Sequence, residues 1–160
     1  MAKLQQIVGF RIGKENFGVP IAIVREIVRM MEITVVPDAP SYIEGVINLR
    51  GKIIPVVDLR KRFAEEIQPH RRNRIMVAEL DGHQIGLVVD AASEVMKVNP
   101  ELIEPPPNIF EQGELNYVTG VGKFGGKLVI LIDLAKIMQR GELRRISDLA
   151  ETAGAISPAQ

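Results

Sequence analysis

Two aspartates in matching surroundings are the first candidates for chemistry in this chain of 160 residues. Asp58 and Asp133 each follow a run of aliphatic residues and precede a short segment with helical character. A pair of carboxylates could serve acid–base catalysis or bind a metal ion. An aspartate placed just before a helix more commonly accepts hydrogen bonds from the free backbone N–H groups of the first turn. We therefore interpret both residues as helix caps.

The two histidines offer no catalytic alternative. His70 lies in a polar, basic loop and His83 flanks a turn, and neither has a carboxylate at useful spacing. The chain has no cysteine, which excludes a thiol nucleophile, a disulfide and a cysteine zinc site. It also contains no phosphate-binding loop, nucleophile elbow or metal motif. The sequence predicts no enzyme activity, no cofactor and no metal.

Basic residues are concentrated at Arg71, Arg72 and Arg74, where a phosphate or an acidic partner could bind. The chain as a whole carries 20 Lys and Arg against 20 Asp and Glu, so its formal net charge is zero. A small-barrel RNA-binding protein is an alternative, but it would need a basic face. The balanced charge favours a solvated loop and predicts no nucleic acid partner.

Arg50 is a different kind of candidate, because it lies in a tight turn between two aliphatic strands and is followed at once by Gly51. The default interpretation is an exposed turn residue without a partner. A fixed turn can also present a planar guanidinium in a set orientation, which suits bidentate contact with a carboxylate. The choice between these interpretations depends on the elements around the turn.

Those elements form an internal repeat. Residues 45–63 recur as residues 120–138, with seven of 19 positions identical and four others exchanging one aliphatic residue for another. A second pair of segments, 17–21 and 85–89, occurs in the same order in both halves. This order indicates duplication rather than chance similarity. The counterpart of Arg50 in the second copy is Gly125.

Each half contains about five short stretches with strand character, separated by turn residues. Strands are expected at residues 42–49 with 53–57 and at 117–121 with 128–132, and Asp81-Gly82 predicts a type I′ hairpin. Five strands close naturally into a small barrel. We therefore expect one mainly β domain over residues 1–160, with subdomains at about 17–74 plus part of the termini and at 75–138. Short helices are expected over residues 20–31 and after Asp133, and a disordered tail over 150–160. Residues 20–31 could equally form a junction between a strand and a helix, because the segment is rich in Val and Ile.

The segment around Asn48-Leu49-Arg50-Gly51, from Tyr42 to Arg60, resembles the signature of the CheW family. The resemblance extends over nearly the whole chain, from about Leu4 to Leu149, and includes Asp133-Leu134. It implies two SH3-like five-stranded β-barrels packed together. It also implies a non-enzymatic adaptor that joins the cytoplasmic tip of chemoreceptors to the regulatory domain of the histidine kinase CheA.

Carried over residue by residue, the receptor-binding groove of the family falls on Ile21, Val24, Glu26, Ile27 and Arg50. The aliphatic side chains would contact a helical hairpin, and Arg50 would fix its register through an acidic receptor residue.

The resemblance also implies a kinase-binding surface at Ile109 and Phe110. No apolar run approaches the ~20 residues that span a bilayer, so we expect no membrane insertion. The expected protein is cytoplasmic, monomeric by itself and recruited to receptor arrays. A coupler for a pathway with an output other than motility is the nearest alternative.

Overall fold

A computed structural model of the protein describes residues 4–63, 67, 69–105 and 117–138. Within these residues the chain forms ten strands, which are β1 (Gln5–Ile12), β2 (Glu15–Pro20), β3 (Val24–Arg29), β4 (Ile43–Leu49), β5 (Lys52–Asp58), β6 (Arg74–Leu80), β7 (His83–Val89), β8 (Ala91–Val98), β9 (Val118–Phe124) and β10 (Lys127–Ile132). The helical segments are the 3₁₀ turns Ile21–Ile23 and Pro100–Leu102 and the single-turn helices α1 (Arg60–Phe63) and α2 (Leu134–Ile137). The expected mainly β fold is confirmed.

The turn chemistry follows the sequence closely. Asp81 and Gly82 have φ angles of 50° and 80°, as the predicted type I′ turn requires. The predicted hairpins β4–β5 and β9–β10 are both formed and antiparallel. Helix α2 begins directly after Asp133, as expected. The expected tail at 150–160 lies outside the described residues.

The ten strands form two five-stranded sheets with the same internal order. Sheet A has the order β8-β1-β2-β10-β9, and sheet B has the order β3-β6-β7-β5-β4. Each strand of one sheet has a counterpart in the other sheet, five strands away along the chain. The registers agree as well, because Leu131 lies opposite Gly18 in sheet A as Val56 lies opposite Gly86 in sheet B. The duplication seen in the sequence is therefore a structural repeat.

The two halves exchange their first hairpins, which the division at 17–74 and 75–138 did not anticipate. Sheet A combines β1 and β2 of the first half with β8, β9 and β10 of the second. Sheet B combines β6 and β7 with β3, β4 and β5. Both sheets therefore cross the boundary of that division, although consecutive strands more commonly pair with each other. Here the links β2–β3 and β7–β8 each lead into the other sheet.

The predicted helix over residues 20–31 is wrong. One 3₁₀ turn, Ile21–Ile23, is followed by strand β3, which pairs with β6. The apolar spacing fits a helix, but the segment is rich in Val and Ile, whose branched side chains favour an extended backbone. Pairing with β6 decides between the two conformations.

The hydrophobic core has three parts, which explains why several strands are buried on both faces. A shared core joins the sheets and includes Phe10 and Phe17 of sheet A and Met76 and Leu87 of sheet B. The rings of Phe10 and Phe17 are stacked, with their centroids 5.8 Å apart. A second cluster lies within sheet B and a third within sheet A. The inner strands therefore bury one face in their own sheet and the other face between the sheets.

Candidate functional site

The turn between β4 and β5 holds Arg50 in a conformation that arginine seldom adopts. Its φ angle is 53° and that of Gly51 is 85°. The Gly51 N–H donates to Asn48 Oδ1 at 2.8 Å, which fixes the turn from within. Left-handed backbone is uncommon outside glycine, asparagine and aspartate. The matching turn uses Gly125 and Gly126, so the backbone itself does not require an arginine here.

The Arg50 guanidinium donates a hydrogen bond to the Glu26 carboxylate and forms an ion pair with it. Glu26 lies on β3, at one edge of sheet B, and Arg50 follows β4, at the other edge. The pair therefore connects the two edge strands of the sheet. The Arg50 side chain is 69% exposed, so the pair lies at the surface.

The ion pair changes the proton affinity of both groups. The hydrogen bond from Arg50 lowers the pKa of Glu26 below its ordinary value, with a smaller opposing contribution from desolvation. The hydrogen bond from Glu26 raises the pKa of Arg50. Both groups are therefore fully charged near neutral pH, and the edge of the sheet presents a fixed pair of opposite charges.

The aliphatic candidates Val24 and Ile27 lie on the other face of β3 from Glu26. A register shift between Val24 and Glu26 interrupts the alternation of the strand. Val24 then lies opposite Ala78 and Ile27 opposite Met76, both in the shared core, whereas Glu26 lies opposite Val77 of the sheet B cluster.

Of these aliphatic residues, Ile21 and Val24 are half-buried against the shared core, while Ile27 is 37% exposed. The structure thus brings Glu26 and Arg50 together and places Val24 and Ile27 on the opposite face. Since β3 is an edge strand, a partner lying along the edge could touch both faces. The proposed kinase-binding residues, Ile109 and Phe110, lie outside the described residues.

The two aspartates have structural roles. Asp133 Oδ1 accepts a hydrogen bond from the Ala135 N–H at 3.0 Å, which confirms its expected role as the N-cap of α2. Asp58 Oδ1 accepts from the Arg60 N–H at 2.9 Å in the same way. No group of three His, Cys, Asp or Glu residues in the described part of the chain could hold a metal ion.

The basic loop is held by local hydrogen bonds. His70 Nδ1 accepts from the Arg72 N–H at 3.0 Å, and Arg74 donates to the carbonyl oxygens of Arg71 and Asn73, both at 2.9 Å. His70, Arg71 and Arg72 are exposed. These contacts agree with the solvated-loop interpretation.

A buried polar network around Arg60 is the feature that sequence reasoning missed. Arg60 is only 7% exposed, and its Nε and Nη2 donate to the two oxygens of Asp58 at 2.9 and 2.8 Å. Its Nη1 lies 3.7 Å from Asp90 Oδ1. Asn73, in the amide orientation that satisfies its neighbours, accepts from Arg60 Nη1 at 2.9 Å and donates to the Asp90 carbonyl at 3.0 Å.

The network also connects the two sheets. Asp90 links β7 of sheet B to β8 of sheet A, and its Oδ2 accepts from the Gly13 N–H in the β1–β2 turn at 2.6 Å. A buried arginine must be paired, because an uncompensated buried charge is costly. The available sequence signal was the contrast between Asp58-Leu59-Arg60 and Asp133-Leu134-Ala135 in the repeat.

The comparisons with known proteins agree with this architecture. A family model for the CheW-like domain matches residues 6–142. The chain belongs to the CheW-like family. A chemotaxis protein CheW from Klebsiella aerogenes is 32% identical over 149 residues, which cover 92% of this chain and 90% of the relative. One from Rhizobium meliloti is 35% identical over 139 residues, 86% of this chain and 90% of the relative.

A solved structure is similar over most of the chain. The crystal structure of the scaffolding protein TtCheW from Thermoanaerobacter tengcongensis matches with a TM-score of 0.75 and 39% identity, over 89% of this chain and 91% of that one. None of the helices in the described ranges is long and apolar enough to cross a membrane.

Proposed function

We propose that this protein is a chemotaxis scaffold that couples chemoreceptors to a CheA-type histidine kinase and carries out no catalysis itself. The observation that carries the proposal is the family match over residues 6–142, together with the names of its relatives, which are chemotaxis and scaffolding proteins. The RNA-binding alternative has no comparable support, since the net charge is zero.

The receptor tip would bind along the β3 edge of sheet B. Ile21, Val24 and Ile27 would supply apolar contact, and the charged pair of Glu26 and Arg50 would orient the receptor helices. Arginine is well suited to the second task, because its planar fork makes bidentate contact with a carboxylate. In this proposal Glu26 holds the guanidinium in place until a receptor carboxylate shares it.

The retention of Arg50 supports the same site. A left-handed arginine costs more than the glycine found at the matching turn, so its side chain is expected to serve a purpose beyond the turn. The kinase regulatory domain would bind elsewhere, near Ile109 and Phe110. A protein with two separate surfaces would be recruited from the cytoplasm to receptor arrays, where several weak contacts add through effective concentration.

Calorimetry with a purified receptor-tip fragment and a purified kinase regulatory domain tests the proposal. We expect the protein to bind each of them, and we expect Arg50→Glu to weaken receptor binding at least about tenfold, or 1.4 kcal/mol. Kinase binding should be unchanged. Lys52→Glu is the matched control, because it makes the same change of charge on an exposed side chain in the same hairpin. Absence of binding to both partners would rule out the proposal.

A further inference from the structure

A cavity of about 420 Å³ lies at the C-terminal ends of β2 and β10 of sheet A and β6 of sheet B, and residues of both sheets line it. Its volume is in the range of small-ligand sites, about 300–1,000 Å³. Ile7, Gly18 and Leu131 provide apolar walls, while Glu79, Asp81 and Asp133 provide carboxylates. Asp81 is exposed and Asp133 is half-buried. The cavity thus combines apolar walls with acidic side chains.

The internal repeat gives this cavity a counterpart in the other half of the chain. Ile7 pairs with Pro20 as Ile75 pairs with Val88, so the registers of the two first hairpins match. On this register the residues that line the cavity include the counterparts of the buried Arg60 network. The matching residues are Asp133 with Asp58, Ala135 with Arg60, Gln5 with Asn73 and Asp81 with Gly13.

The difference between the two sites is the cation. In the first site the Arg60 guanidinium fills the space and pairs with Asp58. In the second site Ala135 ends at its methyl group, and the space remains. Asp133 and Asp81 take part in none of the ion pairs in the described part of the chain, while Glu79 pairs with Arg25. The first site therefore contains an arginine side chain, and the matching site in the other half does not.

We propose that this cavity receives an arginine side chain from a partner protein, which takes the place that Arg60 occupies in the first site. The carboxylate of Asp133 would accept from the incoming guanidinium, and Ile7 and Leu131 would pack against its methylene stem. A guanidinium fits better than an ammonium, because its planar fork can donate to a carboxylate through two parallel bonds.

The position of the cavity indicates which partner supplies the arginine. Pro20 and Ile23 line the cavity, and they flank Ile21 and border Val24 of the proposed receptor face. We therefore assign the arginine to the receptor tip, and this assignment rests on the proposed function. The charges are reversed relative to the Arg50 contact. At Arg50 this protein provides the cation, whereas at the cavity it provides the carboxylate.

The first test uses the full-length protein and a small probe. Nα-acetyl-arginine methylamide is titrated into the ¹⁵N-labelled protein, with the neutral citrulline analogue as the matched control. We expect saturable shifts at the amides of Gly18, Thr119 and Ala135, and at least tenfold weaker binding of the citrulline compound. Equal binding of both compounds, or no saturable shift at these amides up to the solubility limit, would overturn the proposal.

The second test fills the cavity from within. Ala135→Arg should place a guanidinium beside Asp133, as Arg60 lies beside Asp58, and should abolish the probe shifts. Ala135→Gln controls for size. Asp133→Asn keeps a capping oxygen for α2 while it removes the charge, so it remains informative if Ala135→Arg does not fold. Probe binding that survives in both Ala135→Arg and Asp133→Asn would contradict the assignment.

The third test separates this inference from the proposed function. A receptor-tip fragment should bind Ala135→Arg at least tenfold more weakly than Ala135→Gln. If the fragment binds wild type and Ala135→Arg equally, the assignment to the receptor is wrong while the coupling function stands. If the fragment binds neither, the coupling function fails, and the arginine probe still decides whether the cavity recognises guanidinium.

Discussion

The Arg50 guanidinium pairs with the Glu26 carboxylate, and the two residues come from opposite edges of one five-stranded sheet. Among the residues that the structure describes, sheet A has no such pair, because Gly125 stands at the matching turn. Within the described residues, the duplication thus gave two similar sheets, of which sheet B carries a charged contact between its edges. This asymmetry supports the β3 edge as the proposed partner-binding surface.

Replacing Arg50 with glycine should separate its role in binding from any role in stability. Arg50→Gly relieves the left-handed strain, which is about 1 kcal/mol, but adds about 0.5–1 kcal/mol of backbone entropy cost. Because the lost ion pair is exposed and screened by solvent, we expect the free energy of unfolding in urea to change little. Receptor binding should still fall. A loss of several kcal/mol would show instead that the pair holds the fold together.

The pKa of Glu26 reports the same contact directly. In the wild type Arg50 holds this pKa below the ordinary value of 4.5, and in Arg50→Gly it should rise towards that value. A carboxyl group whose pKa is lowered by folding stabilises the protein above the unfolded pKa, and this contribution is lost as the pH falls through the folded pKa. Carbon-detected NMR titration of Glu26 in both proteins measures the shift. Identical values would mean that the ion pair does not form in solution.

Arg60, unlike Arg50, is expected to contribute strongly to the free energy of unfolding. Arg60→Met leaves Asp58 buried without its cation and removes the bond to Asn73, so the free energy of unfolding should fall by about 3–5 kcal/mol. The neighbouring Lys61 is exposed and pairs with Glu44 at the surface, so Lys61→Met should cost less than about 1 kcal/mol. Chemical denaturation compares the two. Similar effects of both substitutions would contradict the structural role given to Arg60.

Gly18 and Gly86 occupy equivalent positions in the two sheets, and neither position has room for a Cβ atom. A Cβ at Gly18 would lie 2.7 Å from Ile7 Cγ2, and one at Gly86 would lie 2.9 Å from Ile75 Cγ2. Each change to alanine should destabilise the protein by about 1–3 kcal/mol. Ile7→Leu removes the branching methyl group, so the double variant Gly18→Ala/Ile7→Leu should recover part of the loss. Strict additivity of the two single effects would speak against this contact.

Much of the strand pattern follows from the sequence, because turn residues and alternation are local. The Asp81-Gly82 turn and the paired hairpins of the repeat are examples. The exchange of hairpins between the halves could not be predicted in this way. Whether β1 pairs with β3 or with β8 depends on contacts between distant segments. The apolar pattern of β1 is compatible with both pairings.

The candidate site was only partly predictable for the same reason. Glu26 and Arg50 were both named from the resemblance, but their pairing with each other depends on how the sheet brings its edges together. The placement of Val24 and Ile27 on the other face of β3 depends on a register shift. Arg60 was missed because its partners Asn73 and Asp90 lie far away in sequence, and an arginine beside a short helix is usually solvated.

Coupling itself is tested most directly by a bridging measurement. A receptor-tip fragment is immobilised, and retention of the kinase regulatory domain is measured by surface plasmon resonance with and without this protein. We predict that the kinase domain is retained only when the protein is present, and that Arg50→Glu reduces retention at least about tenfold, or 1.4 kcal/mol. Lys52→Glu should retain it normally. Failure of the wild-type protein to retain the kinase domain, although each partner is folded, would contradict the account.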